Sequence, residues 1–97
     1  EENKSFIELD KFARKQLGKY SSYFIHSLGH GLGLDIHEKP SYLKESNYKI
    51  KYGQAFTVEP GIYFPGKFGL RIEDTVIFDG KVNVLTKSNK ELIKVKI

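Results

Sequence analysis

Glycine occupies every second position between residues 29 and 33, and this short pattern constrains the fold more than any other feature of the chain. A helix through Gly29, Gly31 and Gly33 would lose about 1 kcal/mol per glycine relative to alanine. The pattern therefore predicts extended or looping backbone. Glycines in such a segment leave room for a second chain or a substrate to approach closely.

All three histidines of the 97-residue chain lie around these glycines, at His26, His30 and His37. Side chains of extended backbone alternate between two faces, so His26 and His30 are predicted to share one face. Imidazole titrates near neutral pH and is the commonest metal ligand in proteins. A lone histidine is usually structural, but three in this histidine segment, residues 26–38, favour a chemical site.

Two glutamates are the best candidates to join the histidines in such a site. Glu59 ends a β-prone run and precedes Pro60, which favours extended backbone at Glu59. Glu73 lies inside a second β-prone run, with Arg71 two residues away on the same predicted face. A hydrolytic metal centre needs carboxylates to hold metal and to take a proton from water. Taken singly, each glutamate is better explained as a solvent-facing residue.

The N-terminal part of the chain predicts one amphipathic helix. Ser5 and Glu8 have the spacing of a capping box, in which two side chains satisfy free N–H groups of the first turn. Gly18 is a stop signal for the same helix. The apolar residues between these limits recur at helical spacing and predict one stripe of Phe6, Leu9, Phe12, Ala13 and Leu17.

The remainder predicts an antiparallel sheet, so the expected fold class is α+β. Residues 38–53 are rich in charged and turn-forming residues and predict a surface connection with one short turn of helix at most. Asp79-Gly80 is a strong hairpin signal. The predicted strands cover residues 55–59, 70–78, 82–85 and 92–97, the last as an exposed or edge strand.

Composition narrows the class of protein. The chain has 16 basic and 12 acidic residues and a net charge of +4, which a nucleic-acid binder could have. All basic residues except Arg14 and Arg71 are dispersed lysines, so a solvated surface is the preferred interpretation. No apolar run approaches the ~20 residues of a membrane span. Cysteine is absent, which excludes disulfides and thiolate sites and agrees with a cytoplasmic location.

Three ordered blocks resemble the C-terminal half of the pita-bread metallopeptidases, the creatinase/aminopeptidase fold. They read HSLGHGLGLDIHE at 26–38, VEPGIY at 58–63 and GLRIEDT at 69–75. Within that superfamily they are most similar to the Xaa-Pro aminopeptidase and Xaa-Pro dipeptidase (prolidase) branch. The resemblance implies a curved antiparallel sheet behind an N-terminal amphipathic helix. Residues 1–97 would form the C-terminal part of the catalytic domain.

The resemblance also implies a role for each candidate residue. The family holds two divalent metal ions with two aspartates, one histidine and two glutamates. His30 matches the histidine ligand, and Glu59 matches a glutamate ligand that is also a candidate proton acceptor. Glu73 matches the glutamate that bridges both metals. His26 and His37 match histidines that line the substrate cleft and stabilise the tetrahedral intermediate.

Other implied features concern the metals and what the chain lacks. Arg71 matches an arginine that orients the ligand carboxylates. The ligand types suit Mn, Co, Zn or Fe without choosing among them. The two aspartate ligands of the family lie upstream of the histidine segment, where this chain has only Asp10, inside the predicted helix. We therefore expect three of five ligands, and a missing N-terminal half of the same protein that supplies the others.

The leading expectation is part of an exopeptidase that hydrolyses the bond between an N-terminal residue and proline. Its substrates would be peptides with proline in second position, a homodimer is left open, and the fragment alone is expected to be inactive. One alternative is a non-catalytic pita-bread domain that binds peptide or protein, which retention of three ligands disfavours. The other is an unrelated small basic binding domain, which leaves the three blocks unexplained. Neither nucleic acid nor membrane is an expected partner.

Overall fold

The computed structural model describes residues 4–97 and confirms the α+β class. Its first element is helix α1, Phe6–Leu17, followed by a 3₁₀ helix over Gly18–Tyr23. The predicted capping box is present, because the Glu8 N–H donates to Ser5 Oγ at 3.4 Å and the Ser5 N–H donates to the Glu8 carboxylate at 2.7 Å. Gly18 ends α1 with a φ of 56°, a left-handed conformation that favours glycine.

The apolar stripe of α1 is narrower than predicted. Phe12 is 62% exposed, whereas Asp10 is only 2% exposed. The helix is turned so that Asp10 faces the rest of the chain, and its carboxylate is paired with Arg14. Charged side chains are rarely buried unless they are paired in this way. The apolar residues of α1 that pack into or against the core are Phe6, Leu9, Ala13 and Leu17.

Five strands form two antiparallel sheets. They are β1 Ala55–Val58, β2 Gly61–Phe64, β3 Phe68–Arg71, β4 Asp74–Phe78 and β5 Val82–Val84. One sheet has the order β1-β4-β5, and β2 pairs with β3 in a separate two-stranded sheet. The hairpin predicted at Asp79-Gly80 joins β4 to β5, and Gly80 has a φ of 97°. The predicted boundaries of β1 and β5 agree with the structure to within one residue.

Two strand predictions are wrong. The strand predicted over 70–78 is broken at Ile72 and Glu73, because β3 and β4 belong to different sheets. The chain changes partners there without a turn residue, as the Ile72 N–H donates to Pro60 O at 3.2 Å, so the alternating pattern gives no sign of the break. The strand predicted over 92–97 does not form, and no described residue after Val84 is in a strand.

The core joins α1 to the first sheet. Phe6 packs edge-on against Phe56, with ring centroids 5.1 Å apart. The predicted surface connection contains the expected single turn, a 3₁₀ helix over Leu43–Glu45. It is less superficial than predicted, because Leu43 and Ile50 are buried in the core. The complete buried cluster is Phe6, Phe24, Leu28, Leu43, Ile50, Phe56, Val76 and Phe78. No helix within residues 4–97 has the length and apolar character needed to cross a bilayer.

The histidine segment runs along β1. The Thr57 N–H donates to His30 O at 2.8 Å, and the Glu59 N–H donates to Leu28 O at 2.7 Å. A Cβ atom at Gly29 would lie 1.9 Å from Thr57 O, so this close approach requires glycine. The predicted extended or looping backbone is confirmed, and its position beside β1 brings the histidines next to the end of that strand.

Candidate functional site

Two adjoining clefts hold the six residues that the sequence predicts for the site. The first has a volume of about 560 Å³ and includes His26, and the second has a volume of about 400 Å³ and includes Glu73. The residues that line both clefts are His30, His37, Glu59 and Arg71. His26 and His30 line the same cleft, as a shared face requires. The structure thus brings the predicted residues together, while their chemical roles stay predictions.

His30 is held so that its ring faces Glu59. The backbone N–H of His30 donates to Thr57 Oγ1 at 3.0 Å, and the ring Nδ1 lies 2.9 Å from Gly31 O. A carbonyl oxygen can only accept, so Nδ1 carries the proton and the neutral ring keeps Nε2 as an acceptor. That Nε2 lies 3.6 Å from Glu59 Oε2. An imidazole lone pair therefore faces a carboxylate, with the other ring nitrogen fixed by a backbone carbonyl, as is usual for a metal-ligating histidine.

Strand register brings Glu59 and Glu73 together. Val58 of β1 is opposite Asp74 of β4, so the next antiparallel pair along the ladder would be Glu59 and Glu73. The pKa of Glu73 is raised, first by partial desolvation and then by the negative charge and a hydrogen bond of Glu59. The positive charge of Arg71 opposes this rise, as does that of His30 when its ring is protonated. Glu73 is exposed, so solvent screens part of the effect, but two carboxylates that repel each other mark a place where a cation would be favoured.

A closed loop brings His37 against His30. The Glu38 N–H donates to Gly31 O at 2.8 Å, and the Glu38 carboxylate accepts the Asp35 N–H at 2.9 Å. The ring centroids of His30 and His37 are 4.2 Å apart. His37 is exposed in both clefts, so its ring nitrogens can reach a bound molecule.

His26 is fixed by Tyr63, a residue that the sequence analysis did not single out. His26 Nδ1 lies 2.7 Å from Ser27 O and must carry the proton, so the neutral ring accepts the Tyr63 hydroxyl proton at Nε2, also at 2.7 Å. The tyrosine ring also lies over Gly61, where a Cβ atom would be 2.5 Å from the hydroxyl oxygen. The sequence signal that could have pointed to Tyr63 was its position two residues after a glycine in a half-buried strand.

Arg71 acts on Glu73 through its charge and not through an ion pair. Within the described part of the chain it forms no ion pair with Glu59 or Glu73 at 4.0 Å or less. Its positive charge nevertheless lowers the pKa of Glu73. The predicted orienting contact between Arg71 and a carboxylate is therefore not formed in this arrangement.

Comparison with known proteins adds a family to this geometry. The model of the family described as Metallopeptidase family M24 matches residues 1–79. This chain belongs to that family. The M24 chain is 47% identical to the Xaa-Pro dipeptidase of Pyrococcus furiosus over 89 residues, which are 89% of this chain and 26% of that protein.

Solved structures agree with the family assignment. A prolidase from Thermococcus sibiricus has a TM-score of 0.89 and 46% identity, over 97% of this M24 chain and 26% of that chain. An X-Pro aminopeptidase from Thermotoga maritima has a TM-score of 0.86 and 37% identity, over 94% and 27%. The fold is the C-terminal half of a pita-bread fold, as predicted. The chain spans about a quarter of the length of the curated relatives that it matches.

The donors in this M24 chain fit a divalent metal ion, which membership of a metallopeptidase family implies. They are one imidazole nitrogen, at His30, and two adjacent carboxylates, at Glu59 and Glu73. Such a mixed set of nitrogen and oxygen ligands suits several divalent metals. Across residues 4–97, no three His, Asp or Glu side chains are already gathered closely enough to hold a metal ion. The three donors therefore need a cation, or further ligands, to draw them together.

Proposed function

We propose that this chain is part of a metal-dependent exopeptidase that hydrolyses the bond between an N-terminal residue and proline. The observation that carries the proposal is that His30, Glu59 and Glu73 line one cleft, with His37 in the same cleft and His26 in the adjoining one. The relatives named Xaa-Pro dipeptidase and X-Pro aminopeptidase support peptides with proline in second position as substrates.

In this proposal three side chains hold metal. His30 Nε2 and the carboxylates of Glu59 and Glu73 would be ligands, and the remaining two ligands would be aspartates from an N-terminal half of the same protein. When bound, divalent metal would supply Lewis acidity toward the scissile carbonyl group. Glu59 would also accept a proton from the attacking water, since it lies next to the proposed metal position.

The other two histidines would act on substrate. With Nε2 on metal and Nδ1–H held by Gly31 O, His30 has no free ring N–H for a developing oxyanion, so a different histidine must donate to it. His37 is exposed in both clefts and can turn a ring N–H toward the carbonyl oxygen. His26 lines the first cleft only, and its hydrogen bond to Tyr63 fixes its ring at one side of the substrate.

Finer features are part of the same proposal. The metal would be Mn, Co, Zn or Fe, the complete protein could assemble as a homodimer, and its proposed location is the cytoplasm. A non-catalytic peptide-binding domain of the same fold is the competing function. The register that sets Glu59 against Glu73 disfavours it, because a binding domain has no need to keep two carboxylates beside an imidazole.

The test uses a hybrid polypeptide, in which the part of the Pyrococcus furiosus Xaa-Pro dipeptidase that precedes its matched region is joined to this chain. Hydrolysis of an Xaa-Pro dipeptide and a longer Xaa-Pro peptide is measured with Mn²⁺, Co²⁺, Zn²⁺ and Fe²⁺, with Xaa-Ala peptides as controls. We expect metal-dependent cleavage that Glu73→Gln abolishes and Glu45→Gln, an exposed carboxylate outside both clefts, leaves unchanged. A folded hybrid that binds the peptides but cleaves none with any metal would favour the non-catalytic alternative.

A further inference from the structure

Helix α1 touches the histidine segment through an ion pair that lines neither cleft. Asp10 Oδ1 accepts a hydrogen bond from Arg14 Nε at 2.6 Å, one helical turn along α1. The Asp10 side chain is 3% exposed and the Arg14 side chain 27% exposed. A carboxylate this deeply buried is costly unless its oxygens are fully satisfied, so its other contacts indicate what the pair does.

The Arg14 guanidinium donates hydrogen bonds to two backbone carbonyl groups, those of Phe24 and His26. Its Nη1 donates to Phe24 O at 2.7 Å, and its Nη2 donates to His26 O at 2.6 Å. The same guanidinium lies over the Phe24 ring, 4.2 Å from the centroid. A planar group with several fixed donors can hold two carbonyl groups in one geometry, which the ammonium of a lysine cannot do.

Asp10 holds the backbone on the other side of His26. Its second oxygen, Oδ2, accepts the Leu28 N–H at 2.8 Å. Three hydrogen bonds from one ion pair thus bracket His26, at residues 24, 26 and 28. Every buried side-chain nitrogen and oxygen atom in the described part of the chain has a hydrogen-bond partner, so this pair leaves no polar atom unsatisfied.

We propose that Asp10 and Arg14 are positioning residues for His26. By fixing the backbone from 24 to 28, the pair holds the imidazole in one orientation, with Nδ1 on Ser27 O and Nε2 on the Tyr63 hydroxyl. Helix α1 contributes no residue to either cleft, yet it thereby sets the orientation of the His26 ring in the first cleft. The catalytic consequence rests on the proposed function, whereas the effect on the ring does not.

A purely structural role makes a different prediction. If the pair only fastened α1 to the core, its loss would lower the stability of the chain and leave the His26 ring unchanged. If the pair positions His26, conservative changes would alter the tautomer of His26 and leave the rings of His30 and His37 as they were. Those two histidines are held by contacts with the loop and with β1, and neither Asp10 nor Arg14 takes part in these contacts.

The first experiment follows the imidazole nitrogens of the chain itself by NMR, without metal. Arg14→Lys and Asp10→Asn are compared with wild type and with Lys15→Ala, an exposed cation in the same turn of α1. His26→Gln identifies the His26 signals. We expect the wild type and Lys15→Ala to hold His26 as its Nδ1–H tautomer. Both test variants should show mixed tautomers at this ring alone, with faster exchange of the Leu28 amide proton.

Two outcomes of that experiment would overturn the proposal. One is an unchanged His26 tautomer in both folded variants. The other is loss of the folded state in both variants, which would make the pair a requirement for folding rather than a positioning device.

The second experiment measures kinetics and metal content in the hybrid. A misplaced catalytic group can cost about 10²-fold in rate, so we expect Arg14→Lys to lower kcat by up to this factor with little change in KM or bound metal. Arg14→Ala should lose more than Arg14→Lys, and Lys15→Ala should match wild type. Equal loss of metal and activity in Arg14→Lys would overturn the proposal. An inactive wild-type hybrid would instead count against the proposed function and leave the NMR result standing.

Discussion

The histidine segment and the C-terminal segment, residues 85–97, differ in whether their sequence pattern predicts how well their backbone is held. The histidine segment has no strand of its own in the described structure, yet the backbone of β1 hydrogen-bonds it at His30 and Leu28. The C-terminal segment alternates apolar and lysine residues at its end, yet residues 92–97 are exposed and form no strand. Contacts with neighbouring elements, rather than periodicity, decide which backbone is held.

The ion pairs of the two regions differ in the same way. The Asp10–Arg14 pair is largely buried and holds backbone groups of residues 24–28. In the C-terminal segment, Lys90 pairs with Asp74 at 2.8 Å, and the Thr86 hydroxyl also donates to that carboxylate. These bonds lower the pKa of Asp74, the Lys90 bond most and the Thr86 bond next. Because both partners are partly solvated, the pair contributes little to order in its own segment.

The largest expected effect concerns the histidines and is measured in the hybrid. His30→Ala should remove bound metal and activity together, because it deletes the only imidazole among the proposed ligands. His26→Ala and His37→Ala should retain metal and lose about 10²–10³-fold in kcat, as expected for loss of one donor to an oxyanion. The measurements are metal analysis of each purified variant and steady-state kinetics on one Xaa-Pro substrate. Equal metal loss in all three variants, or full activity of His37→Ala, would contradict this division of labour.

The next effect tests whether close packing holds the histidine segment. Gly29→Ala places a Cβ atom 1.9 Å from Thr57 O, so the segment must separate from β1. We expect the free energy of unfolding to fall by about 3 kcal/mol, the upper range for overpacking. The matched control is Gly66→Ala, where φ is 76° and the Cβ would meet open space, with an expected cost of about 1 kcal/mol. Denaturant unfolding of the chain gives both values, and equal losses would show that the contact with Thr57 is unimportant.

Whether a feature could be predicted from the sequence depends on how far apart in the chain the interacting residues lie. The capping box at Ser5 and the hairpin at Asp79-Gly80 involve neighbours in the chain, and both were predicted correctly. The grouping of His26 with His30 was also local, since it follows from alternation along four residues.

Long-range features could not be predicted from local sequence patterns, and only the family resemblance placed Glu59 and Glu73 in one site. The approach of Glu59 to Glu73 depends on the register between β1 and β4, which no local pattern states. The contacts of Tyr63 with His26, and of Arg14 with the backbone of residues 24–26, join elements far apart in sequence. The erroneous strand at 92–97 has the same origin, because alternation shows that a segment could pair but not whether a partner strand is available.

A smaller effect is expected at the start of the helix that supports the histidine segment. The backbone N–H and then the hydroxyl of Ser5 lower the pKa of Glu8 below its ordinary value of 4.5. A lowered pKa in the folded state adds stability that is present above pH 4.5 and is lost as pH falls through the folded pKa. Thermal unfolding of the chain should therefore show part of its acid sensitivity disappear in Glu8→Gln, because glutamine keeps the cap without titrating. An unchanged pH dependence in Glu8→Gln would assign that sensitivity to other carboxylates.

The smallest effect is expected for removal of residues 92–97. Their side chains are exposed and their backbone is unpaired, so unfolding the rest of the chain does not release contacts made by them. We expect the free energy of unfolding to change by less than about 0.5 kcal/mol, the usual range for surface changes. The matched control retains those residues and carries Lys90→Ala, which breaks the ion pair with Asp74 and should cost little, as is usual for solvated pairs. A loss of more than about 0.5 kcal/mol on truncation would mean that residues 92–97 pair with a strand edge in solution. Pairing with exposed β5 would restore the strand that alternation predicted. The histidine segment and the C-terminal segment would then differ only in how strongly a neighbouring strand holds them.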